Sequence, residues 1–125
     1  MRVLRKETAP RYKRAEGIIS YLLASARTSD AEHLTTTLVE IEPGGNQRTH
    51  SHSPEQIYFI IEGTGAMSVG TETEKVCAGD CIFIPSGFDH GLTNDGAVKL
   101  RYFSASAPTF SRDELFDLWP IDPEC

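Results

Sequence analysis

The 125-residue chain has only three cysteines, two methionines and one tryptophan. Cys77, Cys81 and Cys125 are an odd number without the spacing of a secreted scaffold, so no disulfide framework is expected. Cys77 and Cys81 flank the turn Ala78-Gly79-Asp80 with no further pair of ligands nearby, and they read as small buried hydrophobes rather than a zinc site. No apolar run approaches the roughly 20 residues of a bilayer crossing, which excludes a helical membrane span. The N-terminus carries charges where a signal peptide needs an apolar stretch, so a cytoplasmic protein is expected. Positive charge is also short. A formal net charge of −6 argues against a general nucleic-acid surface, which needs clustered Lys and Arg. No internal repeat, no low-complexity segment and no DNA-binding element breaks the chain.

What is present describes one compact domain. With 39% hydrophobic and 24% charged residues, a chain of this size can bury a core without a structural metal, so any metal is available for function. Charge is distributed unevenly. Arg2, Arg5, Lys6, Arg11, Lys13 and Arg14 crowd the first fourteen residues, while Asp113, Glu114, Asp117, Asp122 and Glu124 dominate the end. The basic stretch reads as a solvated, partly disordered arm over residues 1–16, or as a surface for an anionic partner or the acidic end of a second subunit. A barrel over 17–107 and a helix with tail over 108–125 follow.

Strand-like runs rich in β-branched and aromatic residues recur at 18–24, 33–41, 56–61, 66–69, 72–76, 81–84 and 97–105. Pro43-Gly44-Gly45-Asn46, Glu62-Gly63-Thr64-Gly65, Pro85-Ser86-Gly87 and Asn94-Asp95-Gly96 separate them as turns. Many short strands around one core mean an all-β sandwich or barrel. One helix is expected, because Ser111-Arg112-Asp113-Glu114 forms a capping box ahead of Leu115, Phe116, Leu118 and Trp119, and Pro120 ends it. So short a helix must dock its apolar side on the barrel or on a second subunit.

The chemistry lies in His50-Ser51-His52, Gln56 and His90. Residues two apart on a strand share a face, so His50 and His52 can reach one ion, and Gln56 keeps their parity. Imidazoles suit zinc, nickel, copper and iron, and a third histidine would complete a facial set with open positions. The flanking spacing is more specific. Gly44, five residues, His50-Ser51-His52, three residues, Gln56, six residues and Gly63 form one block. Gly79, five residues, Pro85-Ser86-Gly87, two residues, His90, three residues and Asn94 form a second.

These two blocks resemble the paired motifs of small single-domain cupins, with Gln56 where that family usually has glutamate. The resemblance covers roughly residues 17–107. It implies a double-stranded β-helix or jelly-roll barrel and a divalent metal (Zn, Ni, Fe or Mn) held by His50, His52, Gln56 and His90. Three histidines with one glutamine are similar to the ligand sets of cupins that open unsaturated uronates and of some polyketide cyclases. Gln56 brings no negative charge, so the ion keeps nearly its full +2, which favours Lewis acidity over stabilising oxidised iron or manganese. Glu55 is a rival fourth ligand, because Ser53-Pro54 could swing it inward. His33 lies outside both blocks and is expected to be structural or exposed.

Strand parity adds pocket residues. Tyr58 and Ile60 should face inward with Gln56, and Arg48 shares the parity of His50 if that strand starts early enough. Tyr58 and Arg48 are the candidate catalytic residues, and Thr37 and Tyr102 could add hydroxyls, with core packing as the alternative. No acid is securely inside to serve as general base. Three functions remain in view. A metal-dependent isomerase, lyase or cyclase acting on a small oxygenated substrate leads, followed by a metal-dependent dioxygenase and a non-catalytic binding protein. A homodimer is expected, because the N-terminal segment and the C-terminal helix offer apolar material to cover sheet edges across a two-fold axis.

Overall fold

A computed structural model describes residues 1–120 of the chain. The expected Cys125, Asp122 and Glu124 features lie outside the described residues. Ten strands form two antiparallel sheets that face each other. They are β1 (Arg11–Arg14), β2 (Ile18–Leu22), β3 (Thr35–Ile41), β4 (Asn46–His50) and β5 (Glu55–Glu62), then β6 (Thr64–Val69), β7 (Glu72–Cys77), β8 (Cys81–Ile84), β9 (His90–Thr93) and β10 (Leu100–Ala107). One sheet has the order β1-β2-β3-β10-β5-β8 and the other β4-β9-β6-β7. A single helix, α1 (Arg112–Leu118), follows. This is the all-β jelly roll expected from the sequence.

Alternation builds the inner face. On β5, Gln56, Tyr58 and Ile60 are buried while Glu55 and Phe59 are exposed. On β10, Leu100, Tyr102, Ser104 and Ser106 are buried. Ile18, Val39, Ile41, Ile60, Met67, Ile84, Leu92 and Leu100 then meet between the sheets. β3 departs from alternation, with all seven residues buried, because a second layer covers its outer face. Ala9 and Tyr21 pack there on Leu38, and Lys6 and Arg101 reach Glu40 at 3.1 and 3.0 Å. Burial opposes the charge of Glu40, but those two cations outweigh it and hold its carboxyl below the usual range.

Part of the basic stretch has regular structure. Instead of a solvated arm, Arg11–Arg14 forms β1 and pairs with Ile18–Tyr21 of β2 through a tight turn. Three strands escaped the sequence reading for related reasons. β1 is too basic, β4 (Asn-Gln-Arg-Thr-His) too polar, and β9 too short and glycine-containing to show apolar alternation.

Helix α1 begins with the expected reciprocal cap. Glu114 N–H donates to Ser111 Oγ at 3.2 Å, and Ser111 N–H donates to Glu114 Oε1 at 3.2 Å. Leu115, Phe110 and Trp119 pack on Leu22, and the Trp119 indole N–H donates to Ser20 Oγ at 2.9 Å. The N-terminal strand and the C-terminal helix thus pack on this chain's own barrel. Cys77 and Cys81 are exposed rather than buried, because they sit at the outward-facing ends of β7 and β8.

Candidate metal centre

One end of the barrel opens into a cavity of about 430 Å³, lined in part by His50, His52, Gln56, Tyr58 and Tyr102. His50 ends β4, His52 follows it in the loop, and His90 begins β9. His50 and His90 are paired across the two strands. One ring nitrogen from each of the three histidines lies within 4.8 Å of the other two, a spacing at which they could hold one metal ion.

A bulge in β4 sets this arrangement. Gln47 pairs with Leu92 and His50 with His90, so β4 carries one residue more than β9 between these points. Gln47 and His50 therefore share the inner face although they are three apart. Gly91 lies opposite the extra residue, where a Cβ would meet Gln47 O and Thr49 Oγ1, each at 3.1 Å. The same bulge corrects the parity expected for Arg48. Its side chain is 69% exposed and pairs with Glu16 at 2.9 Å, so it borders the cavity mouth instead of projecting inward beside His50.

Backbone carbonyls orient two of the rings. His50 Nδ1 lies 2.7 Å from Arg48 O, and His90 Nδ1 lies 3.0 Å from Phe88 O. With Nδ1–H donating in each case, the Nε2 lone pair is left for a ligand, a common arrangement for metal-binding histidine. His90 is 1% exposed, and its Nε2 is buried without a hydrogen-bond partner. Burial pushes the His50 and His52 imidazoles down to about 4 and also lowers His90. All three are neutral at pH 7, the state that can ligate.

Gln56 is oriented from β10 and β3 of its own sheet. Its Nε2 donates to Ser104 Oγ at 3.4 Å, and Ser104 Oγ is 2.7 Å from Thr37 Oγ1. The amide nitrogen is thereby occupied. Oε1, in a residue 9% exposed, is buried without a partner. Glu55 is exposed on the outer face of β5. The two orphaned atoms, His90 Nε2 and Gln56 Oε1, are acceptors with lone pairs, and such buried acceptors are costly to leave unpaired. Both suit a divalent ion.

Tyr58 is buried and stacks on Tyr102, with centroids 4.2 Å apart and planes at 25°. Its ring centroid is 5.8 Å from that of His90. Burial pushes the Tyr58 hydroxyl up to about 12 and also raises Tyr102 well above the usual phenol range. Thr37 is also buried in the lining, whereas His33 is exposed beside Glu32. Phe110 and Trp119 complete the wall from the C-terminal segment, and Phe110 meets the His52 ring edge-on at 5.3 Å. Tyr12 and Arg14 enter from β1. The sequence reading gave Arg14 to the basic arm, but Tyr12-Lys13-Arg14 has the two-residue period that puts Tyr12 and Arg14 on one face.

Among the described residues, no helix is long and apolar enough to cross a membrane. Comparison with known proteins places this geometry in context. An uncharacterised protein of Methanocaldococcus jannaschii is 36% identical over 57% of this chain and 58% of its own length. A dimethylsulfoniopropionate lyase of Ruegeria pomeroyi is 30% identical over 56% of this chain and 47% of its own. The match thus spans about half the length of these curated relatives. The polyketide cyclase RemF of Streptomyces resistomycificus has a similar fold, with a TM-score of 0.72 and 22% identity over 86% of this chain and 79% of its own. Family membership alone fixes no reaction among such proteins. The family model described as Cupin domain matches residues 37–106, more than half of the chain and the span that carries all three histidines and Gln56, and the protein belongs to the cupin family.

Proposed function

We propose that His50, His52, His90 and Gln56 hold one divalent metal ion, and that the protein is a Lewis-acid enzyme of the isomerase, lyase or cyclase type acting on a small oxygenated molecule. The observation that carries this reading is the pair of orphaned acceptors, His90 Nε2 in the three-histidine cluster and Gln56 Oε1 in a residue that lines the same cavity as His50 and His52. A divalent ion bound by four neutral donors would supply electrophilic activation of a carbonyl or hydroxyl oxygen.

The chain's own groups fit the remaining tasks. A cavity of about 430 Å³ is the size of a small-molecule site. Tyr58 keeps its proton at neutral pH, so it serves as hydrogen-bond and proton donor rather than as base. Ser104 and Thr37 hold Gln56 in place. Phe110 and Trp119 keep water from one side of the cavity. Arg48, paired with Glu16 at the mouth, is placed to meet substrate on entry.

The test is reconstitution of purified protein with Zn, Ni, Fe and Mn, followed by elemental analysis. One equivalent of metal per chain, lost in His90→Ala, is expected. Metal uptake no greater than that of His90→Ala overturns the metal site. Oxygen consumption confined to the iron-loaded protein overturns the Lewis-acid reading in favour of a dioxygenase.

A further inference from the structure

Two cations border the cavity, and they differ in their partners. Arg48 is paired with Glu16. Arg14 has no carboxylate within ion-pair reach among the described residues, and its guanidinium lies over the Tyr12 ring at 4.8 Å. Other basic residues of the same segment are engaged elsewhere. Arg2 pairs with Asp30, Lys6 pairs with Glu40, and Arg11 donates to the backbone carbonyls of Lys6, Glu7 and Ala9. Arg14 is half-buried and lines the cavity together with His50, His52 and Tyr58.

We propose that Arg14 anchors the carboxylate of an anionic substrate whose second oxygen donor reaches the histidine site. This rests on the metal-site reading and adds the substrate's charge and the residue that recognises it. A guanidinium stacked on an aromatic ring is fixed in orientation while its N–H edge stays open, and that edge matches a carboxylate with two parallel hydrogen bonds. The surroundings favour an anion as well. The donor set His50, His52, His90 and Gln56 is neutral, the cavity hydroxyls are protonated, and among the described residues the one acid in the lining is Asp117, which is exposed on α1. A divalent ion and Arg14 together leave the cavity net positive, and a neutral substrate would leave Arg14 uncompensated. A small hydroxy- or oxo-carboxylate satisfies both ends.

The probe is malate, with its neutral diamide, malamide, as control. Trp119 is the only tryptophan of the chain and lines the same cavity, so its fluorescence follows binding. Wild type, Arg14→Met and Arg14→Lys are titrated after the metal content of each has been measured. Malate is expected to bind wild type more tightly than malamide. In Arg14→Met, malate binding should weaken at least tenfold, about 1.4 kcal/mol, with malamide binding and metal content unchanged. Arg14→Lys, which keeps the charge without the fork, should recover part of the loss and decides the matter if Arg14→Met does not fold. A wild type without preference for malate, or equal losses for malate and malamide in the variants, overturns the proposal. If wild type takes up no metal, the metal reading fails separately. The same titration on metal-free protein then supports Arg14 as the anchor if the malate preference persists and depends on Arg14, and overturns it otherwise.

Discussion

The two ends of the barrel are built from the same strands and the same inner face, yet they differ in chemistry. On β10 the buried residues run Leu100, Tyr102, Ser104, Ser106, and on β3 they run Ile41, Val39, Thr37, Thr35. On β5 they run Ile60, Tyr58, Gln56. Stepping two residues at a time leads from a sealed aliphatic end, through a pair of stacked tyrosines, to an open end of hydroxyls, an amide and histidines. The pleat decides which side chains enter the barrel. The identity of each decides whether that depth provides stability or binding. Aliphatic residues at one end bury enough surface for the other to leave acceptors such as His90 Nε2 and Gln56 Oε1 unpaired.

This division is sharpest in a mirrored pair of substitutions. His90→Ala should weaken metal binding by more than about 100-fold, beyond the 10–100-fold typical of supporting residues, as read by metal titration. Ile60→Ala, at a position with no exposure, should lower the unfolding free energy by about 2–5 kcal/mol in urea and keep one metal per chain. If Ile60→Ala also emptied the site, the two ends would not be separable.

A smaller effect tests the fourth donor. Gln56→Ala should lower metal affinity by about tenfold, whereas Gln56→Glu should retain or raise it by adding negative charge. Glu55→Ala, on the exposed face, should change affinity by no more than about twofold. Loss of metal in Glu55→Ala with retention in Gln56→Ala would move the ligand to the outer-facing residue and remove the argument from neutrality.

A different kind of effect is the response to acid. His50 and His52 titrate at about 4 in the folded, metal-free protein against 6.5 for a free imidazole. Between those values the unfolded chain binds more protons than the folded one, so stability is full above about pH 6.5 and falls as the pH drops towards 4. Urea midpoints of metal-free protein at pH 7.5, 6, 5 and 4.5 should decline accordingly. Ile60→Ala should show the same decline displaced to lower stability, because the sealed end contributes no titrating group.

Much of this molecule was legible in the sequence. Runs such as Gln56–Ile61 and Cys81–Ile84 alternate with clear turns, and the spacing of His50, His52 and His90 singled out the site before any geometry was known. What escaped detection involved features without local apolar alternation. β4 is polar because it faces the cavity and solvent, and its bulge moved Gln47 inward and Arg48 outward against simple parity. β1 had strand period but such a density of charge that it resembled a free arm, so Arg14 was passed over. The seven buried residues of β3 depended on Ala9 and Tyr21 folding over it. Periodicity within one strand carries no information about such a cover.

The bulge between Gln47 and His50 also governs what can be transplanted or deleted here. Because it advances the strand's inside-outside rhythm by one count, everything before it is out of step with everything after it. Removing Thr49 would restore a regular ladder with Gln47 two residues before His50, keeping Gln47 inside and leaving Arg48 outside, opposite Gly91. A designer who copied only His50-Ser51-His52 into a regular strand would obtain the histidines without their neighbour at Nδ1, whose amide nitrogen lies 3.3 Å away. The smallest portable unit of this site is thus the segment from Gln47 to His52 together with His90-Gly91-Leu92, since Gly91 supplies the room that the extra residue occupies.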